Sequence, residues 1–317
     1  GSNFAFDTPL SPATGDISSL AEAASNDAGV HSDLLAEDTP SVYASDIEDG
    51  PPLRYSYSLA VFRNDDGTAA VEVDYAVPAS ELTFRENQAA IESALAVFDG
   101  NWRELESVVQ NERLTISPDA DVTHQVALYR RSLTAPPGQH QFAIRVTDEE
   151  SRRSAVARQP VRVPDYSLNE LSISDIRLVT KVTASTTGRF TRGGRQLIPN
   201  PAGVFGVTQP ITLYFEVYHL KRDSNGRTSA EIEYTVFPLS GENRPILTAT
   251  GETFANRKEG AESALFQDEE GTEETLRRDV AIALTGAETG RYALQVMVSD
   301  RNENKSVSAS VVLRLVE

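Results

Sequence analysis

The chain has 317 residues, enough for two domains of ordinary size, and carries 47 acidic against 29 basic side chains for a formal charge of −18. A phosphate backbone would be repelled, which argues against nucleic acid as a partner, and no run approaches the roughly 18 apolar residues a spanning helix needs. There is no cysteine, so disulfides, thiolate metal sites and a cysteine nucleophile are excluded and redox compartment cannot be read.

Gly1-Ser2 reads as an expression scar, so any signal peptide or anchor would already have been cut away and its absence proves nothing. Residues 1–51 hold ten acidic residues and no Lys or Arg, with few large apolar side chains. Such a segment makes a poor core and is expected to be an acidic arm or linker, with a short helix near Ser18–Ala24 and an edge strand at "NFAF" as local alternatives. Lysine is confined to Lys181, Lys221, Lys258 and Lys305, the other basic residues being arginine. That acidic, lysine-poor balance fits high-salt adaptation or Arg- and Ala-rich codon use, and composition does not separate the two.

From Leu53 onward short alternating runs are broken by turn signals, the pattern of antiparallel sheet. "YSYSLAVFRNDDGTAAVEVDYAVP" predicts a hairpin about Asp66-Gly67. "LYFEVYHLKRDSNGRTSAEIEYTVFP" reads as its counterpart about Asn225-Gly226, with Ile232, Tyr234 and Val236 falling on Val73, Tyr75 and Val77 at an offset of 159. "PGQHQFAIRVTDEESRRSAVARQPVRV" matches "TGRYALQVMVSDRNENKSVSASVVLRL" without a gap at an offset of 152, pairing Gly138 with Gly290, His140 with Tyr292 and Asp148 with Asp300. The predicted fold is all-β: two tandem antiparallel β-sandwiches of immunoglobulin or fibronectin-III type, at 52–165 and 166–317, related by internal duplication and joined at Pro164. In "ITLYFEVYHL" the alternation predicts Leu213, Phe215 and Val217 facing inward with Tyr214, Glu216 and Tyr218 outward, after Pro199 and Pro201 end the preceding strand.

"LSISDIRLVTKV", "LIPNP" and "LYFEVYHL", with "YSLAVFRNDDGTAAVEVDYAVPASEL" and "APPGQHQFAIRVTDEESRRSAVARQPVRVPD", resemble the C-terminal β-sandwich region of bacterial GWxTD-domain envelope proteins. The Gly-Trp-x-Thr-Asp motif itself is absent, the only tryptophan being Trp102 in "DGNW". The resemblance implies a periplasmic, cell-surface or secreted bacterial protein and carries no biochemical activity with it.

Catalysis finds little support. His31, His124, His140 and His219 are scattered without ligand spacing, and no nucleophile elbow, zincin or phosphate-loop motif occurs. The carboxylates of "QDEEGTEET" are read as one solvated acidic loop, in which Asp268, Glu270 and Glu273 are the calcium candidates. The basic stretch "TTGRFTRGGRQ" supplies Arg189, Arg192 and Arg195, which with an outward Tyr214 and Tyr218 form the candidate partner-binding surface. The competing reading there is a solvated hairpin loop, with tyrosines simply covering a sheet. "NKS" at 304–306 is a glycosylation acceptor only in a eukaryotic secretory setting. The expected function is a non-catalytic module that docks or spaces protein partners in a bacterial envelope or secreted assembly, without cofactor; carbohydrate or calcium binding is the alternative and an enzyme the remote one.

Overall fold

A computed structural model of the chain describes residues 52–117, 122, 125–239, 264–284 and 287–317. The expectations for residues 1–51, and for His31 and His124, lie outside the described residues. The regular structure of the described residues is nearly all strand, and it falls into two compact units that part between Asp165 and Tyr166. None of their helices is long and apolar enough to cross a membrane.

The first unit contains β1 (Ser56–Arg63), β2 (Ala69–Pro78), β3 (Gln88–Phe98), β4 (Glu104–Thr115), β5 (Val126–Ala135), β6 (Gly138–Asp148) and β7 (Ser154–Val163). They make two antiparallel sheets, ordered β1-β2-β5 and β4-β3-β6-β7. The Asp-Gly hairpin joins β1 to β2: Gly67 takes φ +86°, and Asp66 Oδ1 accepts the Thr68 amide at 2.9 Å and its hydroxyl at 2.6 Å. Inward residues of both sheets, among them Val71, Val73, Tyr75, Ile91, Leu95, Phe142 and Ile144, are fully buried. Each such aliphatic or aromatic side chain stabilises the unit by about 1.5–3 kcal/mol relative to exposure.

The second unit adds elements to the same frame. Its strands are β8 (Ser172–Ile173), β9 (Arg177–Ala184), β10 (Thr191–Arg192), β11 (Arg195–Pro199), β12 (Val204–Gly206), β13 (Ile211–Tyr218), β14 (Thr228–Pro238), β15 (Ala264–Gly271), β16 (Leu276–Ile282), β17 (Gly290–Asp300) and β18 (Lys305–Val316). One sheet runs β10-β11-β9-β13-β16, with β8 also pairing β13; the other runs β12-β18-β17-β14-β15, with β12 parallel to β18. Without β8 and β10–β12, the orders β9-β13-β16 and β15-β14-β17-β18 repeat β1-β2-β5 and β4-β3-β6-β7 strand for strand.

Two expectations are corrected by this topology. At the 159 offset, Val73, Tyr75 and Val77 lie on β2 whereas Ile232, Tyr234 and Val236 lie on β14, the counterpart of β3. The match is therefore one strand out of step. Nor do β13 and β14 form a hairpin, since they belong to opposite sheets. A tight turn does form at Asp223–Arg227, with Gly226 at φ +76° and Asp223 Oδ1 accepting the Asn225 and Arg227 amides at 2.8 Å each. Turn chemistry specifies a reversal of the chain, and whether the arms then pair or diverge depends on where their apolar faces find cover.

At the 152 offset the paired positions fall on corresponding strands of the two units. Gly138 and Gly290 open β6 and β17, and Phe142, Ile144, Val146, Leu294, Val296 and Val298 are all fully buried. The Pro199-Asn200-Pro201 corner carries the chain from one sheet to the other. Asn200 donates from Nδ2 to the Val204 carbonyl at 2.8 Å, its amide donates to Leu178 O at 2.9 Å, and Gly203 turns at φ +60°.

Candidate functional site

The candidate surface is built around β13 and the β10–β11 hairpin. Gly193 and Gly194, at φ +55° and +76°, close that hairpin and set Arg192 opposite Arg195. The hairpin lies against β13, for a Cβ placed on Gly193 would stand 2.5 Å from both Tyr214 Oη and Arg277 Cδ. Tyr214, Glu216 and Tyr218 share the face of β13 that points away from the core, yet they are 0%, 2% and 2% exposed. The tyrosines point outward as expected, but the expectation that they form an open partner-binding surface is corrected: the added hairpin and Tyr166, whose ring meets Tyr218 edge-on at 5.1 Å, supply a second layer.

Glu216 is the centre of this layer. Its Oε1 accepts from Arg192 Nε at 2.7 Å and from the Tyr214 hydroxyl at 2.6 Å; its Oε2 accepts from the Tyr218 hydroxyl at 2.9 Å and Arg192 Nη2 at 3.3 Å. The backbone is held as well, since the Glu216 amide donates to Ser174 Oγ at 2.9 Å and the Ser174 amide to Glu216 O at 2.8 Å. A buried carboxylate that accepts four hydrogen bonds, two of them from a guanidinium, is fully satisfied, which is the condition under which such a group is tolerated. Burial first, then the Glu216 charge, pushes the Tyr214 phenol far above its ordinary value. Neither tyrosine is available as a surface anchor.

The structure thus brings Arg192, Tyr214 and Tyr218 together around an acid that the sequence reading left unassigned. Arg195 pairs with Asp279 of β16, which stands opposite Tyr214. Arg189 remains exposed in the loop. The signal for the cluster was Glu216 between two tyrosines at strand spacing, with basic residues in the preceding turn. What sequence does not state is that the turn folds back over that face. An analogous lock occurs on β2, where Asp74, 1% exposed, receives Arg130 Nε at 2.7 Å and Nη2 at 3.2 Å from the facing strand.

The acidic stretch is corrected from loop to strand, since Ala264–Gly271 is β15, at the edge of its sheet. Alternation places Asp268 and Glu270 on the opposite face from Glu269. Asp268 is shared with Arg301, which also reaches Glu231 at 2.9 Å; Arg227 meets Glu270 at 2.9 Å and Arg278 meets Glu269 at 2.8 Å. Among the described residues no three His, Asp or Glu side chains are grouped to hold a metal ion, and Asp268, Glu270 and Glu273 do not converge.

Two features escaped the sequence reading although their residues were aligned. Asp148 Oδ2, at the end of β6, accepts the Thr83 amide at 3.1 Å and the Ser151 hydroxyl at 2.5 Å. Asp300 Oδ2, at the end of β17, accepts the Lys221 amide at 2.6 Å while its Oδ1 takes the Asn302 amide at 2.9 Å. Both carboxylates are buried, and both tie the β6–β7-type turn to the loop that carries the chain between the sheets. Arg152 and Asn304 occupy the same place in the two turns, with φ +61° and +56°. At the other end, Tyr292 donates its hydroxyl to Glu288 O and His140 Nε2 donates to Pro136 O, each four residues back and each at 2.7 Å. The two rings pack over Gly290 and Gly138 respectively.

No protein-family model and no curated protein matches the chain. Among solved structures it is similar to the C-terminal domain of the AgI/II polypeptide BspA from Streptococcus agalactiae, with 8% identity and a TM-score of 0.23 over 82% of this chain and all of that one. A likeness of that extent carries no functional argument.

Proposed function

We propose that this chain is a non-catalytic structural and protein-interaction module of a bacterial envelope or secreted protein, spacing or docking partners through sheet edges and end loops. The observation that supports it is the recurrence of one construction in two units. Each ties its turn to its crossing loop with a buried aspartate, and each closes the start of the corresponding strand with a ring bonded four residues back. We read this as a duplicated unit. Hydrogen bonds of this kind hold loops still without forming a pocket, which suits a spacer or a docking surface.

The side chains best equipped for chemistry at the candidate surface are consumed inside the fold, as Glu216 and its donors are, so recognition is left to the outer strands and end loops. The test is quantitative co-purification from a bacterial envelope fraction with this chain as bait, followed by reconstitution of the captured protein with the purified chain. Saturable, stoichiometric binding of one protein supports the reading. Saturable binding of a glycan or of calcium, with no protein partner, would replace it by a ligand-binding module.

A further inference from the structure

β4 is an outer strand: it pairs β3 along one side, and no strand borders its other side among the described residues. An open edge presents a row of backbone donors and acceptors, and folded proteins blunt it with charge, proline or cover. The other edge of the same sheet is blunted in that way, because Pro160 interrupts β7. So is the counterpart of β4 in the second unit. Register through β3–β6 and β14–β17 matches Leu95 to Tyr234, and hence Val109, Asn111 and Arg113 to Phe266, Asp268 and Glu270. On β15 Phe266 is buried, and the two acids are bound by Arg301 and Arg227. On β4 the run Ser107-Val108-Val109-Gln110-Asn111 is uncharged, and Val109 is 59% exposed, more than any other large apolar side chain among the described residues.

The charges of β4 are arranged for one kind of neighbour. Glu106 and Glu112 turn toward the facing sheet, where Glu106 accepts the Thr134 amide and Glu112 pairs with Arg131. Alternation puts Val109 and Arg113 on the opposite face. Glu104 joins them there, because the ladder to β3 passes from Val97 opposite Glu106 to Phe98 opposite Glu104 and leaves Leu105 as the extra residue of a bulge. The Ser107 hydroxyl donates to Glu104 Oε1 at 2.7 Å, and Glu104 and Arg113 are both exposed. An antiparallel second β4 centred on Val109 sets Val109 against Val109, Ser107 against Asn111, and Glu104 of each copy beside Arg113 of the other. One sequence thus forms both ion pairs by two-fold symmetry, with like faces of the two sheets continuous. We propose that β4 is a homodimerisation edge, pairing antiparallel with β4 of a second copy of the chain about Val109. The proposal rests on the docking reading above for the use of a sheet edge, and it names the edge and its partner.

Sedimentation of the full chain across concentration is expected to show a monomer–dimer equilibrium, with a Kd in the micromolar range or weaker for so short an interface. Glu104→Arg and Arg113→Glu each set like charges together twice in the dimer and should raise that Kd about ten-fold, while the double variant E104R/R113E restores both pairs and should recover it. Both positions are exposed, so folding is not at stake. The chain has no cysteine, and Val109→Cys therefore reports the register directly. Opposed residues of antiparallel strands hold their Cα atoms about 4.5–5.5 Å apart, within disulfide range, so oxidised glutathione should link two copies. Val126→Cys, a site of 57% exposure on β5, should not link. Dimerisation that ignores both single charge reversals, a double variant that fails to recover, or linking as ready through Val126→Cys as through Val109→Cys would each overturn the proposal. So would a chain that stays monomeric at about 1 mM. If that monomer still captured an envelope protein, the docking reading would stand and the edge would belong to another chain.

Discussion

His140 donates from Nε2 to the carbonyl of Pro136, four residues back, at the position where the second unit uses Tyr292 on Glu288. The bond fixes the ring as the Nε2–H tautomer and leaves Nδ1 buried with no partner among the described residues. A phenol does the same work without the orphan nitrogen. His140→Phe is expected to destabilise the first unit by about 1 kcal/mol, the net worth of one hydrogen bond, while His140→Tyr should recover most of that. Urea midpoints of the three proteins decide it, and a Tyr variant less stable than the Phe variant would show that the corner cannot accept the longer side chain.

Asp148 and Asp300 are the stronger fixtures, because each is an acceptor for backbone amides that would otherwise lack partners. Replacing either by Ala leaves the Thr83 or Lys221 amide unbonded, and a cost of about 1–3 kcal/mol is expected in the unit that carries the change. Amide exchange should accelerate at Thr83 in Asp148→Ala and at Lys221 in Asp300→Ala. Equal acceleration across both units in either variant would contradict the assignment of each aspartate to its own loop.

Why this much was legible follows from the residues themselves. Period-two alternation and Gly-containing turns are local, so strands and the Asp66-Gly67 hairpin could be read directly, and the 152 offset placed Asp148 with Asp300 and His140 with Tyr292. Partner choice between strands is non-local. The Asn225-Gly226 turn looks like a hairpin in sequence although its arms enter opposite sheets. Tyr214 and Tyr218 were misplaced for a related reason: an outward face reads as exposed unless one knows that β10 and β11 fold back upon it. The acids at 268–270 failed similarly, because charge suggested a loop where cross-strand arginines permit an edge strand.

Glu81 gives the first unit a pH dependence. Burial alone would raise its carboxyl, but the bonds from Arg54 Nε at 2.6 Å and Arg153 Nη2 at 2.8 Å outweigh burial and hold it below the ordinary glutamate value. The unfolded chain therefore binds the proton more readily than the folded one, and stability rises with pH across the interval. The contribution is complete above about pH 4.3, the ordinary glutamate value, and is lost as pH falls through the lower folded value. Glu81→Gln should flatten the stability profile as pH falls below the ordinary glutamate value, and an unchanged slope there would mean that other carboxylates carry it.

The Arg192–Glu216 pair separates burial from pairing. Removing one partner, as in Arg192→Met, leaves a carboxylate at 2% exposure with only the tyrosine hydroxyls, and about 3–5 kcal/mol of destabilisation is expected. Removing both charges with Glu216→Gln in the same chain should cost much less, since no buried charge is then left alone. The difference is read as a double-mutant cycle on the unfolding free energy, with a favourable coupling between the two sites. Gly193→Ala approaches the same cluster from the hairpin: its new Cβ meets Tyr214 Oη and Arg277 Cδ at 2.5 Å on a backbone at φ +55°, so the hairpin must lift. Tyr214 should then titrate nearer an ordinary phenol, visible as an added absorbance change on raising pH. Additive single effects in the cycle, together with an unaltered tyrosine titration in the glycine variant, would show that the hairpin does not act as the lid of this cluster.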